Sequence, residues 1–317
     1  MNFTEILMPH AMSQIEKVKQ KNLHFAHYTS AKVANSILLK NEVWLRNCRH
    51  MNDYSEIKYG IELFNRALSS EAIGPRFERL LNSINCDLHA RLINSLRAIF
   101  ESQNSQTYIA CLSEHGNSPN DLLYGRLSMW RAYGGNENVA LIFNGEVVTG
   151  SDGPSGAFVS PVLYADLGKF ISKFSILLDR LDHHLPSFQH IDPESILRTL
   201  VWVIHFATIS TKHPGFSEER EWRIIYSPEY FGESTHLIHE EVEIDGVRQS
   251  VYKMQLVYSN QPFADRDFIR DALERILIGP TENPELIRGN LLSSLHATGF
   301  DKSADMIKNS SIPFRRN

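Results

Sequence analysis

The sequence predicts an α+β fold built on a mainly antiparallel sheet, with helical insertions. Three observations carry this reading. Glu240 to Leu256 reads as two strands joined at Asp245-Gly246, a strong short-range hairpin signal. Val139-Ala140-Leu141-Ile142-Phe143 is a continuous apolar run bounded by turn residues, as a buried strand requires. Strand-like and helix-like segments are mixed without the regular spacing of βαβ units.

The elements follow in chain order. Ile6, Leu7, Ile15 and Val18 recur near helical spacing and predict a short amphipathic helix packed on the outside. His24 to Tyr28 is a strand. Ser30 caps a helix whose buried stripe is Val33, Ile37 and Leu38. Val43 to Arg46 is a second strand. The polar stretch Asn47 to Tyr54 leads to a helix capped by Asp53 or Ser55, with Ile57, Ile61, Phe64 and Leu68 inward and Gly74-Pro75 as its breaker. One long helix is expected from Phe77 to Phe100. Thr107 to Ser113 is an interior strand. A short helix falls between Leu122 and Tyr133, and Gly134-Gly135 ends it. Thr149 to Gly156 is a loop, and strand character resumes from Phe158 to Tyr164. Two helical segments, Leu167 to Leu181 and Pro193 to Ile209, form an insertion over about 166–212 within a single domain. Arg275 to Ile278 is a strand stopped by Gly279-Pro280, and Pro284 to Ala297 is a helix. The central sheet is expected to contain the His27, Cys111, Phe143 and Trp222 strands, with Trp222 and Ile142 in one core.

The stretch from Phe216 to Tyr226 is the focus of the chain. From Glu221 its side chains alternate, with Glu221, Arg223 and Ile225 on one face and Trp222, Ile224 and Tyr226 on the other. The aromatic face belongs to the core. The charged face has two readings. It is a strand end at which carboxylates and arginines pair, or it holds a carboxylate fixed beside aromatics for chemistry.

Composition limits the function classes. The 317 residues are 42% hydrophobic and 22% charged, enough for a sizeable core. A net charge of −5 argues against sequence-specific duplex DNA as a partner. Cys48, Cys86 and Cys111 are far apart, which disfavours a disulfide framework or a cysteine-type zinc site. No apolar run reaches the ~20 residues of a membrane span, and the N-terminus lacks an unbroken apolar core. The expectation is a cytoplasmic, reduced protein with no membrane partner. Phosphate-loop, Rossmann, zincin and nucleophile-elbow motifs are missing. Asp182-His183-His184 reads as a solvated helix end.

Polar residues gather instead at strand ends. They are His27-Tyr28-Thr29, Asn52 to Glu56, Cys111-Leu112-Ser113, Met129-Trp130-Arg131-Ala132-Tyr133 and Glu219-Arg220-Glu221-Trp222-Arg223. Each has a structural reading: a hydrogen-bonded histidine, an acidic helix start, a helix face on a core. Their order, with Ile276 to Pro280, resembles the DUF2971 family of uncharacterised, mainly bacterial proteins. The resemblance spans about His24 to Arg315. Tyr54 departs from it, since the family usually has proline there.

A second resemblance implies an activity. An early histidine strand, aromatics and a late glutamate strand with E-x-E are similar to the order in ADP-ribosyltransferases. That resemblance implies a split, mainly antiparallel sheet and NAD as the substrate. Breaking the nicotinamide–ribose bond develops an oxocarbenium-like sugar, which a fixed carboxylate stabilises. By the resemblance Glu221 is that carboxylate and His27 contacts the NAD ribose. Tyr28, Trp130 or Tyr133 stacks nicotinamide, Arg46 or Arg131 meets the diphosphate, and Thr29, Asn52 and Ser113 complete the cofactor side. No serine-threonine-serine strand motif is present, so the acceptor, protein or RNA, stays open. Phage defence or a toxin system is the setting this implies. Two alternatives stand beside it. One is a non-enzymatic sensor or interaction protein in which these residues hold the fold. The other is a nucleotide or nucleic-acid hydrolase using Asp53, Glu56, His27 and Glu221.

Overall fold

The computed structural model describes residues 6–50, 54–101, 106–116, 118–150, 157–188, 190–244, 246–258, 268–300 and 303–313, without the side chains of 54–56 and 303. Strand β3 (Tyr108–His115) organises the sheet. One edge pairs along its length with β8 (Glu221–Tyr226), from Tyr108↔Tyr226 to Ser113↔Glu221. The other edge is shared by two strands. β1 (His24–Ser30) takes its C-terminal end, with Ala26 opposite Ser113. β2 (Glu42–Asn47) takes its N-terminal end, with Arg46 opposite Ile109. The sheet therefore forks at residues 110–112 of β3.

One branch continues from β1 to β4 (Glu137–Asn144), β11 (Leu273–Thr281) and β12 (Ile307–Asn309). The other continues from β2 to the hairpin β10 (Val247–Gln255) and β9 (Leu237–Ile244). β5 (Phe158–Pro161) borders β8. All pairs in this ten-stranded sheet are antiparallel except β11 with β12. The expected class and the four expected central strands are present. Gly246 sits at φ 78°, the left-handed turn conformation the hairpin needs, and Asp245 lies outside the described residues.

Alternation assigns two faces, and both are covered. Phe25, Leu112, Trp222, Ile224, Leu141 and Phe143 share one apolar cluster with helices α2 (Ala31–Lys40) and α13 (Pro284–Ala297). Ser30 caps α2 as read, accepting from Val33 N. Ala26, Tyr28, Ala140, Ile142 and Leu277 point the other way, against Met129 and Trp130 of α7 (Leu127–Tyr133). Ile142 thus lies across the sheet from Trp222, which corrects the single shared core. Both strands are buried on both faces, and parity sends these two residues apart.

A helical layer supplies a further core. α3 (Tyr54–Leu68), α4 (Gly74–Ile84), α5 (Leu88–Glu101), α9 (Leu167–Phe188) and α10 (Pro193–Ile209) pool Phe64, Phe77, Leu92, Phe174, Leu181 and Leu200. The segment over 166–212 is thus half of a layer shared with α3, α4 and α5. The long helix expected from Phe77 to Phe100 is two helices, broken at Asn85, whose backbone is extended. Gly74-Pro75 begins a helix instead of ending one, because proline at the first turn loses no intrahelical bond.

α10 crosses α3 at Gly60 with no clearance: an added Cβ would lie 2.0 Å from Thr208 O. Gly60→Ala should push α10 off α3 and cost about 1–3 kcal/mol. Urea denaturation should show a lower midpoint at an unchanged slope.

Candidate functional site

The residues singled out by sequence converge where β8 leaves a 3₁₀ turn, Pro214–Glu219. Every residue of β8 is buried, Glu221 at 6% and Arg223 at 1% exposure. The charged face of this strand is therefore interior. A buried carboxylate needs partners. Oε1 of Glu221 accepts from Arg223 Nε at 2.7 Å, and Oε2 accepts from Lys212 Nζ at 2.9 Å. Lys212 is fully buried and also bonds Glu219 Oε2 at 2.7 Å. Arg223 donates through Nη1 to the carbonyl of Ile209 at the end of α10. The Glu221 backbone N–H donates to Tyr164 Oη at 2.7 Å. Two cations and two carboxylates thus form a neutral cluster joining helix end to strand.

Arg126 builds a second hub on the same face. Its Nη2 bonds Ser113 Oγ at 2.8 Å, and its Nη1 bonds the carbonyls of Glu218 and Glu219 at 2.6 and 3.1 Å. Its backbone N–H donates to Tyr28 Oη at 3.1 Å. Ser113 Oγ donates to Glu219 O. The guanidinium holds the turn that delivers Glu221. Tyr28 meets Trp130 edge-on, ring centroids 4.6 Å apart, and Trp130 Nε1 donates to Tyr124 O. Trp130 is 1% exposed, and a Cβ at Gly279 would lie 2.7 Å from its ring.

The structure brings some predicted residues together and separates others. Glu221, Ser113 and Tyr28 share one face, as the pairings Ser113↔Glu221 and Ala26↔Ser113 require. His27 pairs with Leu141 and so projects from the opposite face, where its Nδ1 lies 3.1 Å from Cys111 O. Tyr28 and Trp130 are closed on each other, and Thr29 is buried. Arg46 bonds Gln249 Oε1 at 3.0 Å on the β2 branch. Arg131 and Tyr133 are on the exposed side of α7. Asn52 and Asp53 lie outside the described residues, as does the side chain of Glu56. Among the described residues no group of three or more His, Cys, Asp or Glu is placed to hold a metal ion. Sequence reasoning missed Lys212 and Arg126. Nothing local marks either; only their distant partners do.

Electrostatics follow from burial. Burial raises the Glu221 pKa, but Arg223 and Lys212 outweigh it and bring the carboxyl down to about 2. Burial and the Glu221 charge push the Cys111 thiol well up, so it is protonated and inert toward electrophiles. Burial lowers His27, against the Cys111 carbonyl, which favours its charged form. His10, His115 and His205 are each lowered to about 4, chiefly by burial.

With this geometry in view, comparison with known proteins gives one match. The model of the family described as Protein of unknown function (DUF2971) matches residues 129–224. Over those residues the chain is similar to DUF2971 proteins. No curated protein and no solved structure matches it. The DUF2971 match contains Trp130, Tyr164, Lys212, Glu219, Glu221 and Arg223, so it includes the whole ion cluster. His27, Tyr28, Ser113 and Arg126 lie before it. Among the described residues no helix is long and apolar enough to cross a membrane.

The pKa values set an acid-stability profile. Folded His10, His115 and His205 stay neutral to about pH 4, whereas in the unfolded chain they protonate near 6.5. The unfolded state binds more protons between those values, so stability falls as pH drops from 6.5 to 4. The Glu221 contribution is complete above 4.5 and is lost as pH falls toward 2. Melting temperature measured from pH 8 to 3 should begin to fall below 6.5 and keep falling. A protein equally stable at pH 7 and 4.5 would contradict this.

Proposed function

We propose that the protein is a non-enzymatic sensor or interaction module in which the E-x-E-W-R element holds the fold. The carrying observation is the Glu221 carboxylate, whose two oxygens are taken up by Arg223 and Lys212 at 2.7 and 2.9 Å. A carboxylate that stabilises an oxocarbenium must face the sugar, and this one faces two internal cations. The opposite projection of His27 supports the same reading, since the two residues flank the sheet.

A second reading, NAD-dependent ADP-ribosyl transfer to a protein or RNA acceptor, is favoured by one observation. The sheet forks on the edge of β3, next to His27 and Cys111, in keeping with a split sheet. In that reading Glu221 is the catalytic carboxylate and NAD the substrate.

The two readings diverge on Glu221→Gln. Gln keeps the volume and loses the charge between two buried cations, so the module reading expects a cost of about 3–5 kcal/mol. That corresponds to a melting temperature lower by roughly 5–8 °C. Wild-type protein incubated with labelled NAD, with and without cell lysate, should release no nicotinamide above buffer. Nicotinamide release that disappears in Glu221→Gln at an unchanged melting temperature would establish the transferase instead.

A further inference from the structure

An apolar cavity of about 120 Å³ lies between the N-terminal segment, α9 and α10. Its walls include Phe64, Phe170, Phe174, Leu177 and Ile204. A dry cavity of this order takes a benzene-sized apolar group. Its polar lining admits a complete hydrogen-bond account. Ser160 Oγ donates to Pro161 O, Thr208 Oγ1 to His205 O, and Thr211 Oγ1 to Ala207 O. Three polar groups remain. Ser210 is 2% exposed, and its Oγ has no partner. His10 Nε2 is buried without a partner. Lys173 lines the cavity and makes no ion pair among the described residues. Buried polar atoms are rarely left unsatisfied without a reason. Lys173, with Lys169 close enough to act on His10, makes this end of the cavity electropositive.

We infer that this cavity binds a small free amphiphile with a short alkyl tail and a carboxylate head. The tail fills the phenylalanine-lined space. The head accepts hydrogen bonds from Lys173 and from Ser210 Oγ or a His10 N–H. The charge requires an anion, and single ammonium and neutral donors suit a monoanionic carboxylate better than a phosphate, which favours bidentate guanidinium partners. The cavity's walls run into the ion cluster. β5 places Ser160 of the cavity opposite Arg223, and α10 carries Val203, Ile204 and Ala207 of the wall before Ile209, whose carbonyl Arg223 holds. A ligand here therefore touches the helix that the cluster anchors. This deepens the sensor reading and rests on it for its meaning. Binding is measured apart from nicotinamide release, so either can fail alone.

The test is calorimetric titration of the full chain at pH 7 with sodium butanoate, hexanoate and octanoate, with octan-1-ol and octyltrimethylammonium beside them. Affinity should rise roughly fourfold per methylene until the cavity is full, and octanoate should bind at least tenfold tighter than octanol. The quaternary amine should not bind. Lys173→Gln should weaken octanoate about tenfold and leave octanol unchanged. Ala207→Phe, placed where the cavity opens to solvent, should weaken both. A circular dichroism melt of each variant checks that it folds. No saturable octanoate binding, equal affinity for octanol, or full binding by folded Ala207→Phe would overturn the inference.

Discussion

The neutral cluster of Lys212, Glu219, Glu221 and Arg223 is the interaction on which the rest of the architecture depends. Lys212, Glu221 and Arg223 are taken almost wholly out of water. Desolvating a single ion is too costly to tolerate unpaired. Each ion is therefore tied to the presence of the others. Arg223 also satisfies the carbonyl of Ile209, one of the acceptors a helix end leaves open, at the negative pole of the helix dipole. Lys212 approaches from the short strand that follows the same helix. α10 is thereby fixed to β8 in position and direction, and through Gly60 it fixes α3.

Much of this was legible in the chain, and the gaps have physical causes. Period-two alternation found β8 and its two faces, and the apolar run found β4, because strand parity needs no tertiary information. The break between α4 and α5 escaped notice because Leu80, Leu81, Leu88, Leu92 and Leu96 stay in phase across it. Asn85 makes the turn there, its side chain accepting from Asp87 N. In the candidate site, pairing of Glu221 with Arg223 was foreseeable from their spacing on one strand. Lys212 was not. Its partners Glu219 and Glu221 lie seven and nine residues on, across a turn and a strand start that only the fold closes. Arg126 was hidden more deeply, since it binds carbonyls about ninety residues away. A residue that serves distant backbone leaves no local pattern.

Several stretches that looked chemical turn out to be packing. Tyr28, Trp130 and Gly279 come from three distant segments and meet at one point, where the indole fits only because Gly279 has no side chain. His27 closes a β3 carbonyl at the fork, where neither β1 nor β2 pairs with residue 111. Motif-like residues gather at such junctions because each junction has few steric solutions.

Glu221 and Trp222 are neighbours in sequence and occupy environments of opposite kind on the two sides of one strand. A slip of β8 by a single residue would drive the indole into the ions and the carboxylate among Phe25, Leu112 and Leu141. A solvated strand tolerates such a slip by exposing the misplaced side chain, but β8 has no exposed side. Length, as well as composition, is therefore fixed between Lys212 and Tyr226. Single-residue insertions and deletions should be far less tolerable there than conservative substitutions, whereas the open tip of the β9–β10 hairpin can vary freely in length.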